Sequence, residues 1–256
     1  MTSSAFTFAM HGFDLRFRKV ALVHREWLTD SYVRVRLQGD QLRGFDSRGS
    51  DDHVRVFFPD GDPETVDELR AAPSREYTPL FWGDDWLELE FAVHSGAGIG
   101  GPWAATAQLG SIAGVGGPRG SKVLEGQPDA WFLAGDETAV PAIRRFVQLM
   151  PATATGHILV EVPDASRELS IDVPVGVTVR QVHRGDAAPS APLIARLEEL
   201  TAADRPNNAV LGFIAAEQSV VKPGRALLLD RWGLDADSVI VKGYWKRGDI
   251  EYHAPH

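Results

Sequence analysis

Two different patterns of apolar and polar residues divide the chain. In the first half, segments such as Tyr32–Leu37 and His53–Phe58 alternate apolar and polar positions, which is typical of half-buried β-strands. We predict six such strands, at 17–25, 32–37, 53–58, 75–81, 86–94 and 111–115. Short strands separated by turn residues favour a small antiparallel β-barrel. We also expect a short helix over 101–109 and a loop or helical turn over 64–71.

The second half contains short apolar runs separated by helical patterns. Predicted strands cover 130–134, 157–162, 177–183, 208–215 and 238–244, and predicted helices cover 139–149, 192–200 and 220–230. Strands that alternate with helices indicate βαβ units on a mostly parallel sheet. The pattern changes near 126–129, so we predict a β-barrel domain over 1–127 and an α/β nucleotide-binding domain over 128–256.

Composition narrows the chemistry and the partners. The chain has no cysteine, which excludes disulfides, iron–sulfur clusters with cysteine ligands, zinc–thiolate sites and a thiol nucleophile. None of the eight histidines forms a spaced ligand cluster with carboxylates, so we predict no metal site in the protein. The net charge of −9 disfavours general binding to nucleic acid or anionic membrane. Without a membrane-spanning run or a signal-peptide pattern, we expect a cytoplasmic protein with no membrane insertion.

The segment Arg75–Pro79 combines a cation, an aromatic ring and a hydroxyl within a few residues. On a strand, Arg75 and Tyr77 share one face. A guanidinium binds phosphate through paired hydrogen bonds, a tyrosine ring packs on a heteroaromatic, and the Thr78 hydroxyl can reach the edge of that ring. Together these groups could hold a planar cofactor that carries a phosphate, such as a flavin nucleotide. A strand with a surface arginine and a packed tyrosine is the alternative.

Two loops have the composition of sites for phosphate-bearing ligands. The glycine-rich loop 94–104 follows a predicted strand and leads into a helix, and glycines allow backbone amides to approach a pyrophosphate closely. The turn Gly135–Thr138 follows the first strand of the α/β domain, where open α/β sheets bind ligands. The alternatives are a flexible loop in the first case and, in the second, a helix capped by Asp136 or Thr138.

Basic residues cluster near the last predicted strand. Lys242, Lys246 and Arg247 surround the segment 243–245, and Arg55 lies on a barrel strand. Positive charge at such a cluster would attract an anionic substrate. A solvated surface face is the alternative.

Five segments in order resemble the siderophore-interacting proteins, which are flavin-dependent ferric-siderophore reductases of the ferredoxin–NADP reductase superfamily. These segments are 53–59, 75–78, 94–104, 134–143 and 243–248, and the resemblance covers nearly the whole chain. It implies an oxidoreductase with FAD and either NADH or NADPH as cofactors. Its substrate would be a ferric siderophore, from which Fe(II) is released for iron assimilation. We also expect a monomer.

The resemblance assigns roles to individual residues. Arg75 would hold the flavin phosphate, Tyr77 would stack on the isoalloxazine, and Thr78 would hydrogen-bond near its N5 edge, so Tyr77 and Thr78 are the predicted catalytic residues. The remaining predicted cofactor contacts are His94, Gly98, Ile99, Gly100, Trp103 and Thr138 for FAD, and Gly135, Asp136, Glu137 and Ala139 for the nicotinamide nucleotide. The predicted substrate contacts are Arg55, Lys242 and Arg247, which match basic positions of the family, together with Lys246.

Several positions depart from the family pattern. The family loop usually reads His-Gly-x-x-Gly-Pro-Ala, and this chain has Ser95 and Ile99 within it. Arg55 stands where lysine is common, and Ala216 replaces a glycine that is usual in a loop of the second domain. Two alternatives stay open: a flavin reductase that serves a protein electron acceptor, and a siderophore-binding protein without enzymatic activity.

The nucleotide donor is open as well. Glu161 and Asp164 lie at the carboxyl end of the second predicted strand of the α/β domain, where an acid favours the ribose 2′-hydroxyl of NADH. Arg167 lies nearby and would instead suit the 2′-phosphate of NADPH.

Overall fold

A computed structural model describes residues 5–93, 98–249 and 252 of the chain. The chain divides into two compact units. Among the described residues, the barrel unit comprises those within Met10–Val123, and the α/β unit comprises those up to Ala9 together with those from Leu124 onward. Residues 5–9 therefore belong with the α/β unit in this division, whereas our predicted limits place them with the barrel. The limits 1–127 and 128–256 stay a prediction of domain extent.

Seven strands of the barrel unit form one antiparallel sheet with the order β5-β4-β8-β2-β3-β7-β6. They are β2 (Phe17–Thr29), β3 (Tyr32–Gln38), β4 (Val54–Phe57), β5 (Ser74–Tyr77), β6 (Phe81–Trp82), β7 (Trp86–Ala92) and β8 (Ile112–Gly116). Apolar residues of β2, β3, β4, β7 and β8 pack into a single buried cluster. A sheet whose strands share one core must curl around it, and the predicted antiparallel barrel is confirmed.

Four strands and a helix in the first half of the chain differ from the prediction. The single strand predicted over 75–81 is the pair β5 and β6, because Pro79 lacks a backbone donor and interrupts the ladder. The pattern missed β1 (Phe6–Gly12) and β9 (Gly120–Gly126), which form a separate two-stranded sheet. The segment predicted as a loop or helical turn contains helix α1 (Val66–Ala71), which begins at a reciprocal cap between Thr65 and Glu68.

Helix α2 spans Gly100–Thr106 and is shorter than the predicted helix over 101–109. It ends where the Arg25 guanidinium of β2 donates hydrogen bonds to the carbonyl oxygens of Ala104 and Ala107. A cation that satisfies the last carbonyl groups of a helix stabilises its end at that point. The local sequence pattern contains no sign of this partner from a distant strand.

The α/β unit is built on a five-stranded parallel sheet with the order β12-β11-β10-β13-β14. The strands are β10 (Ala130–Asp136), β11 (Thr155–Val162), β12 (Gly176–His183), β13 (Val210–Glu217) and β14 (Val239–Trp245). The helices are α3 (Val140–Gln148), α4 (Ala191–Glu199) and α5 (Val221–Arg225), which continues as a π-helical segment, Ala226–Arg231. The predicted βαβ organisation is confirmed. The strand order reverses between β10 and β13, and ligands bind beside the carboxyl ends of strands at such a point.

None of the helices in the described ranges combines the length and the apolar character needed to cross a bilayer.

Candidate functional site

The predicted flavin residues lie on the antiparallel pair β4–β5. In this pair Tyr77 is opposite Val54, Glu76 is opposite Arg55, and Arg75 is opposite Val56. Arg75 and Tyr77 therefore share one face of the pair, as predicted, and Arg55 lies on the other face together with Glu76. The Arg75 guanidinium donates to the carbonyl oxygen of Ser74 at 2.6 Å. Among the described residues it has no ion pair with a carboxylate, so its positive charge remains available to an anionic ligand.

Tyr77 lies in an aromatic cluster. Its ring is half-buried, with the centroid 4.2 Å from that of Phe91, and it meets Phe58 edge-on at 6.1 Å. Burial raises the pKa of the Tyr77 phenol, and the charge of Arg75 opposes this shift. The phenol therefore stays protonated at neutral pH. Thr78 follows directly and is buried, and the stacking role of Tyr77 and the hydrogen-bonding role of Thr78 stay predictions.

The glycine-rich segment is described from Gly98 onward, and His94 lies outside the described residues. Gly98 and Ile99 lead into α2, and Trp103 of that helix packs on Phe58 with a centroid distance of 5.2 Å. A side chain at Gly100 would overlap the hydroxyl of Tyr77. Tyr77 and Trp103 both pack on Phe58. The backbone of Gly100 lies so close to the Tyr77 hydroxyl that a larger residue would not fit at position 100.

These features of the barrel unit fit a phosphate-bearing planar cofactor. The fit rests on the Arg75 cation, which has no carboxylate partner among the described residues, and on an aromatic residue that shares its face. A guanidinium without an acidic partner can bind a phosphate, whose negative charge balances that of the arginine.

The turn after β10 is organised by Asp136, of which only 1% is exposed. Its Oδ1 accepts hydrogen bonds from the backbone nitrogen of Thr138, at 2.9 Å, and from the Thr138 hydroxyl. Its Oδ2 accepts from Nε1 of Trp245 at 2.8 Å. Asp136 therefore caps the 3₁₀ helix Glu137–Ala139. Gly135 is equally constrained, because a Cβ there would lie 2.5 Å from the Cβ of Ala139.

Glu137 points into the protein, where it meets Arg184. The Arg184 guanidinium binds both oxygens of Glu137 at 3.3 Å, and its Nη1 is 3.2 Å from Oε1 of Glu161. Burial and the charge of Asp136 raise the pKa of Glu137, while Arg184 opposes the shift. Burial likewise raises the pKa of Glu161. Arg184 follows β12 directly and was not among the predicted site residues.

Glu161 is not positioned to bind a ribose. Its side chain is fully buried, and its two oxygens accept from the backbone nitrogens of Ser190 at 2.9 Å and Leu193 at 3.1 Å, at the start of α4. The suggestion that Glu161 favours a 2′-hydroxyl is therefore wrong: the residue lies within β11 and caps a helix. Asp164 and Arg167, the other two candidates, form an ion pair with each other.

A further buried carboxylate, Glu217, lies at the end of β13. Its Oε2 accepts from the backbone nitrogen of Ser219 at 2.7 Å, and its Oε1 accepts from the backbone nitrogen of Arg247 at 3.2 Å. Burial opposes ionisation, but these hydrogen bonds and the charge of Lys246 outweigh it and hold the pKa of Glu217 below its usual value. Glu217 is thus an ionised anchor at neutral pH.

The predicted substrate residues lie in different units. In the barrel unit, Arg55 forms an ion pair with Glu76 at 3.0 Å, and Nε2 of His53 is 3.9 Å from the same carboxylate. In the α/β unit, Lys242 is half-buried on β14, and Lys246 and Arg247 are exposed just beyond it. Their role toward a substrate stays a prediction. Within the described residues, no group of three or more histidine, aspartate or glutamate side chains is placed to hold a metal ion.

Comparison with known proteins gives the family. The model described as "Siderophore-interacting protein" matches residues 128–248, and the one described as "Siderophore-interacting FAD-binding domain" matches residues 21–122. The chain is 30% identical over 254 residues to the ferric vibriobactin reductase ViuB of Vibrio cholerae, with 92% of each chain covered. It is 37% identical over 155 residues to the NADPH-dependent ferric-chelate reductase of Escherichia coli, covering 55% of this chain and 60% of the relative.

A solved structure agrees with the sequence relatives. The fold is similar to that of a siderophore utilization protein from T. fusca, with a TM-score of 0.85, 32% identity and coverage of 96% of this chain and 98% of the other. Similarity therefore extends over both units and over both family models. The chain belongs to the siderophore-interacting proteins and carries the FAD-binding domain of that family.

Proposed function

We propose that the protein is an FAD-dependent ferric-siderophore reductase, which oxidises NADH or NADPH and releases Fe(II) for iron assimilation. The observation that carries the proposal is the similarity to ferric vibriobactin reductase over 92% of both chains. The overall reaction balances when one reduced nucleotide and two Fe(III) give the oxidised nucleotide, a proton and two Fe(II). Hard oxygen chelators hold Fe(II) less tightly than Fe(III), so reduction favours release.

The barrel unit supplies the cofactor site in this proposal. FAD, when bound, would accept two electrons from the nucleotide as a hydride and pass them on one at a time. Arg75 would bind its phosphate, since the guanidinium has no acidic partner among the described residues. Tyr77 and Thr78 would contact the ring system, and the close packing of Gly100 against Tyr77 would fix the position of the aromatic side chain.

The α/β unit supplies the nucleotide site. The turn Gly135–Thr138 and Ala139 lie at the switch point of the parallel sheet, where a dinucleotide would bind. Asp136 and Glu137 would contribute through the backbone of this turn, because their carboxylates are occupied by Trp245 and Arg184. The burial of Glu161 and the name of the E. coli relative both favour NADPH over NADH.

The substrate would be an anionic ferric siderophore, attracted by Lys242, Lys246 and Arg247. We further propose a cytoplasmic monomer, which size-exclusion chromatography and cell fractionation would check. The principal test is anaerobic: the purified protein is loaded with FAD and mixed with NADPH or NADH, a ferric chelate and a colorimetric Fe(II) trap. We expect Fe(II) at close to two per nucleotide oxidised, with faster flavin reduction by NADPH in stopped-flow experiments.

The predicted chelate contacts give a sharper test. The double variant Lys242→Ala/Arg247→Ala should raise the KM for an anionic ferric chelate by about tenfold, because each lost cation weakens attraction of the anion. The KM for NADPH should change less than twofold. Arg196→Ala is the matched control, since Arg196 is an exposed cation of the same unit that pairs with Glu199.

The remaining outcomes identify the alternatives. A protein that takes up no FAD contradicts the proposal. NADPH oxidation that requires a protein acceptor and never reduces a ferric chelate would identify the reductase of the first alternative. Tight chelate binding without nucleotide oxidation would identify the binding protein.

A further inference from the structure

The segment Trp245–Arg247 at the end of β14 has an unusual path. β14 pairs with β13, and β10 lies on the other side of β13. The register of β14 on β13 shifts near its end: Gly243 pairs with Ala216, and Trp245 pairs with Glu217. Tyr244 is therefore the extra residue of a β-bulge. Bulges re-aim the side chains that follow them, and here the indole of Trp245 reaches across to β10.

Two buried carboxylates hold this segment. Asp136, at the end of β10, accepts from the Trp245 indole nitrogen at 2.8 Å. Glu217, at the end of β13, accepts from the backbone nitrogen of Arg247 at 3.2 Å. Both side chains are more than nine-tenths buried, and hydrogen bonds to a carboxylate in such surroundings are stronger than those between neutral groups.

Each carboxylate also uses its second oxygen on a turn at the switch point. Asp136 binds the backbone nitrogen of Thr138 at 2.9 Å, and Glu217 binds that of Ser219 at 2.7 Å. A single side chain therefore joins a strand-end turn to the C-terminal segment in both cases. The two turns follow β10 and β13, the strands between which the sheet order reverses.

The turn after β13 makes further contacts with β14 and with the chain beyond it. A Cβ at Gly243 would lie only 2.9 Å from the Cα of Gln218, so glycine is needed for this close approach. The Tyr252 hydroxyl donates to Oε1 of the same Gln218. These contacts leave the backbone of β14 little freedom to shift relative to the turn.

We infer that Asp136 and Glu217 are positioning residues for the substrate: they fix Trp245–Arg247 so that the Lys246 and Arg247 cations meet the ferric chelate. The inference rests on the proposed function, because it takes these two cations as chelate contacts. The two oxygens of Asp136 then have different roles. Oδ2, which binds the Trp245 indole, positions the chelate contacts, and Oδ1, which binds Thr138, holds the turn at the nucleotide site.

The test uses steady-state kinetics of the FAD-loaded full-length protein with NADPH and an anionic ferric tris-catecholate. Trp245→Phe keeps an aromatic ring and removes the donor to Asp136. We expect about a three- to tenfold increase in the KM for the chelate, with kcat, the KM for NADPH and the rate of flavin reduction by NADPH within twofold of wild type. The matched control is Trp232→Phe, whose indole nitrogen donates to the Thr201 carbonyl oxygen at the same 2.8 Å; it should leave both KM values unchanged.

Asp136→Asn should raise both KM values, because one amide oxygen cannot replace two carboxylate oxygens. In the double variant Asp136→Asn/Trp245→Phe, the KM for the chelate should be no higher than in Asp136→Asn alone. Both substitutions disrupt the same hydrogen bond, from the Trp245 indole to Asp136, so their effects should not add. Glu217→Gln tests the second anchor and replaces Trp245→Phe if that variant fails to fold. It should raise the KM for the chelate about two- to fivefold.

The outcomes distinguish the inference from the proposed function. If the wild type reduces the chelate and Trp245→Phe and Glu217→Gln behave like Trp232→Phe, the positioning role is overturned and the proposed function stands. Equal increases in both KM values for Trp245→Phe would also overturn it, since they indicate general loosening of the unit. A wild-type protein that binds FAD and NADPH but reduces no ferric chelate overturns the proposed function and the inference with it.

Discussion

The β4–β5 pair and the carboxyl edge of the parallel sheet differ in how their charged residues are used. Both regions are rich in polar side chains beside glycine, and both were predicted to hold cofactor. On β5, Arg75 binds only a neighbouring carbonyl oxygen among the described residues. At the parallel edge, Asp136 is occupied by Trp245 and Glu137 by Arg184. The residue type alone therefore does not distinguish a side chain that can bind a ligand from one that holds the fold together. Its hydrogen-bond and ion-pair partners make that distinction.

The topology of the two sheets explains this difference. β5 is an edge strand whose only partner is β4, and the residue opposite Arg75 on that strand is the uncharged Val56. The parallel sheet brings five strand ends to one edge, where residues distant in sequence become neighbours. Buried carboxylates at that edge require partners, and the converging strand ends supply them.

The largest expected effect comes from removing the cation at the parallel edge. Arg184→Met should destabilise the protein by about 3–5 kcal/mol, because it leaves Glu137 and Glu161 buried without their counter-charge. Chemical denaturation measures the loss. The control is Arg196→Met, which breaks an exposed pair with Glu199 and should cost less than about 1 kcal/mol. Equal losses would show that the buried carboxylates do not depend on Arg184.

The loss in Arg184→Met should depend on pH. Burial already raises the pKa of Glu137 and Glu161 in the folded protein, and without Arg184 both values should rise further. An acid with a raised folded-state pKa destabilises the protein only as pH rises above its unfolded value, and protonation relieves the effect. The loss should therefore be smaller at about pH 5 than at about pH 8. A loss that is the same at both pH values would contradict the assignment to these two groups.

An intermediate effect is expected on the β5 side. Arg75→Ala should weaken FAD binding about 10- to 100-fold, the range for loss of a hydrogen bond to a charged group. Fluorescence titration of the flavin-free protein measures the affinity. Arg43→Ala removes an exposed arginine of the same unit that pairs with Asp40, and it should leave the affinity unchanged. Unchanged affinity in Arg75→Ala would count against the phosphate role and make β5 resemble the parallel edge.

The smallest expected effect concerns the packing of Tyr77. Gly100→Ala should destabilise the barrel unit by about 1 kcal/mol, because the new Cβ would overlap the Tyr77 hydroxyl. Adding Tyr77→Phe removes the overlapping oxygen and should restore about half of the loss. Thermal melts of Gly100→Ala, Tyr77→Phe and the double variant measure both effects. If Tyr77→Phe brings no recovery, the ring and the loop are not in the contact described.

The sequence predicted both folds because each depends on a local pattern. Strand alternation and βαβ spacing are visible within a short window, so the antiparallel barrel and the five strands of the parallel sheet were all found. The interruption of the 75–81 strand had a visible cause in Pro79. β1 and β9 pair only with each other, and their segments were not recognised as strands.

The site was less predictable because its decisive contacts are not local. Nothing near Glu137 in the sequence identifies Arg184 as its partner, and nothing near Trp245 identifies Asp136. Glu161 illustrates the error that follows: its place after an apolar run suggested a ribose ligand, whereas the fold directs it to the start of α4. The structural alternative for Asp136, a helix cap, was correct at the level of its hydrogen bonds.

Arg184 pairs with both Glu137 and Glu161, and this shared contact limits which substitutions the protein can accept. The turn after β10, the end of β11 and the residue after β12 share one guanidinium, so they form a single exchangeable module. A new turn grafted from a relative would place its own acidic or neutral residue opposite an arginine that here pairs with glutamate. Replacement of the turn after β10 therefore requires that all three positions be transferred together.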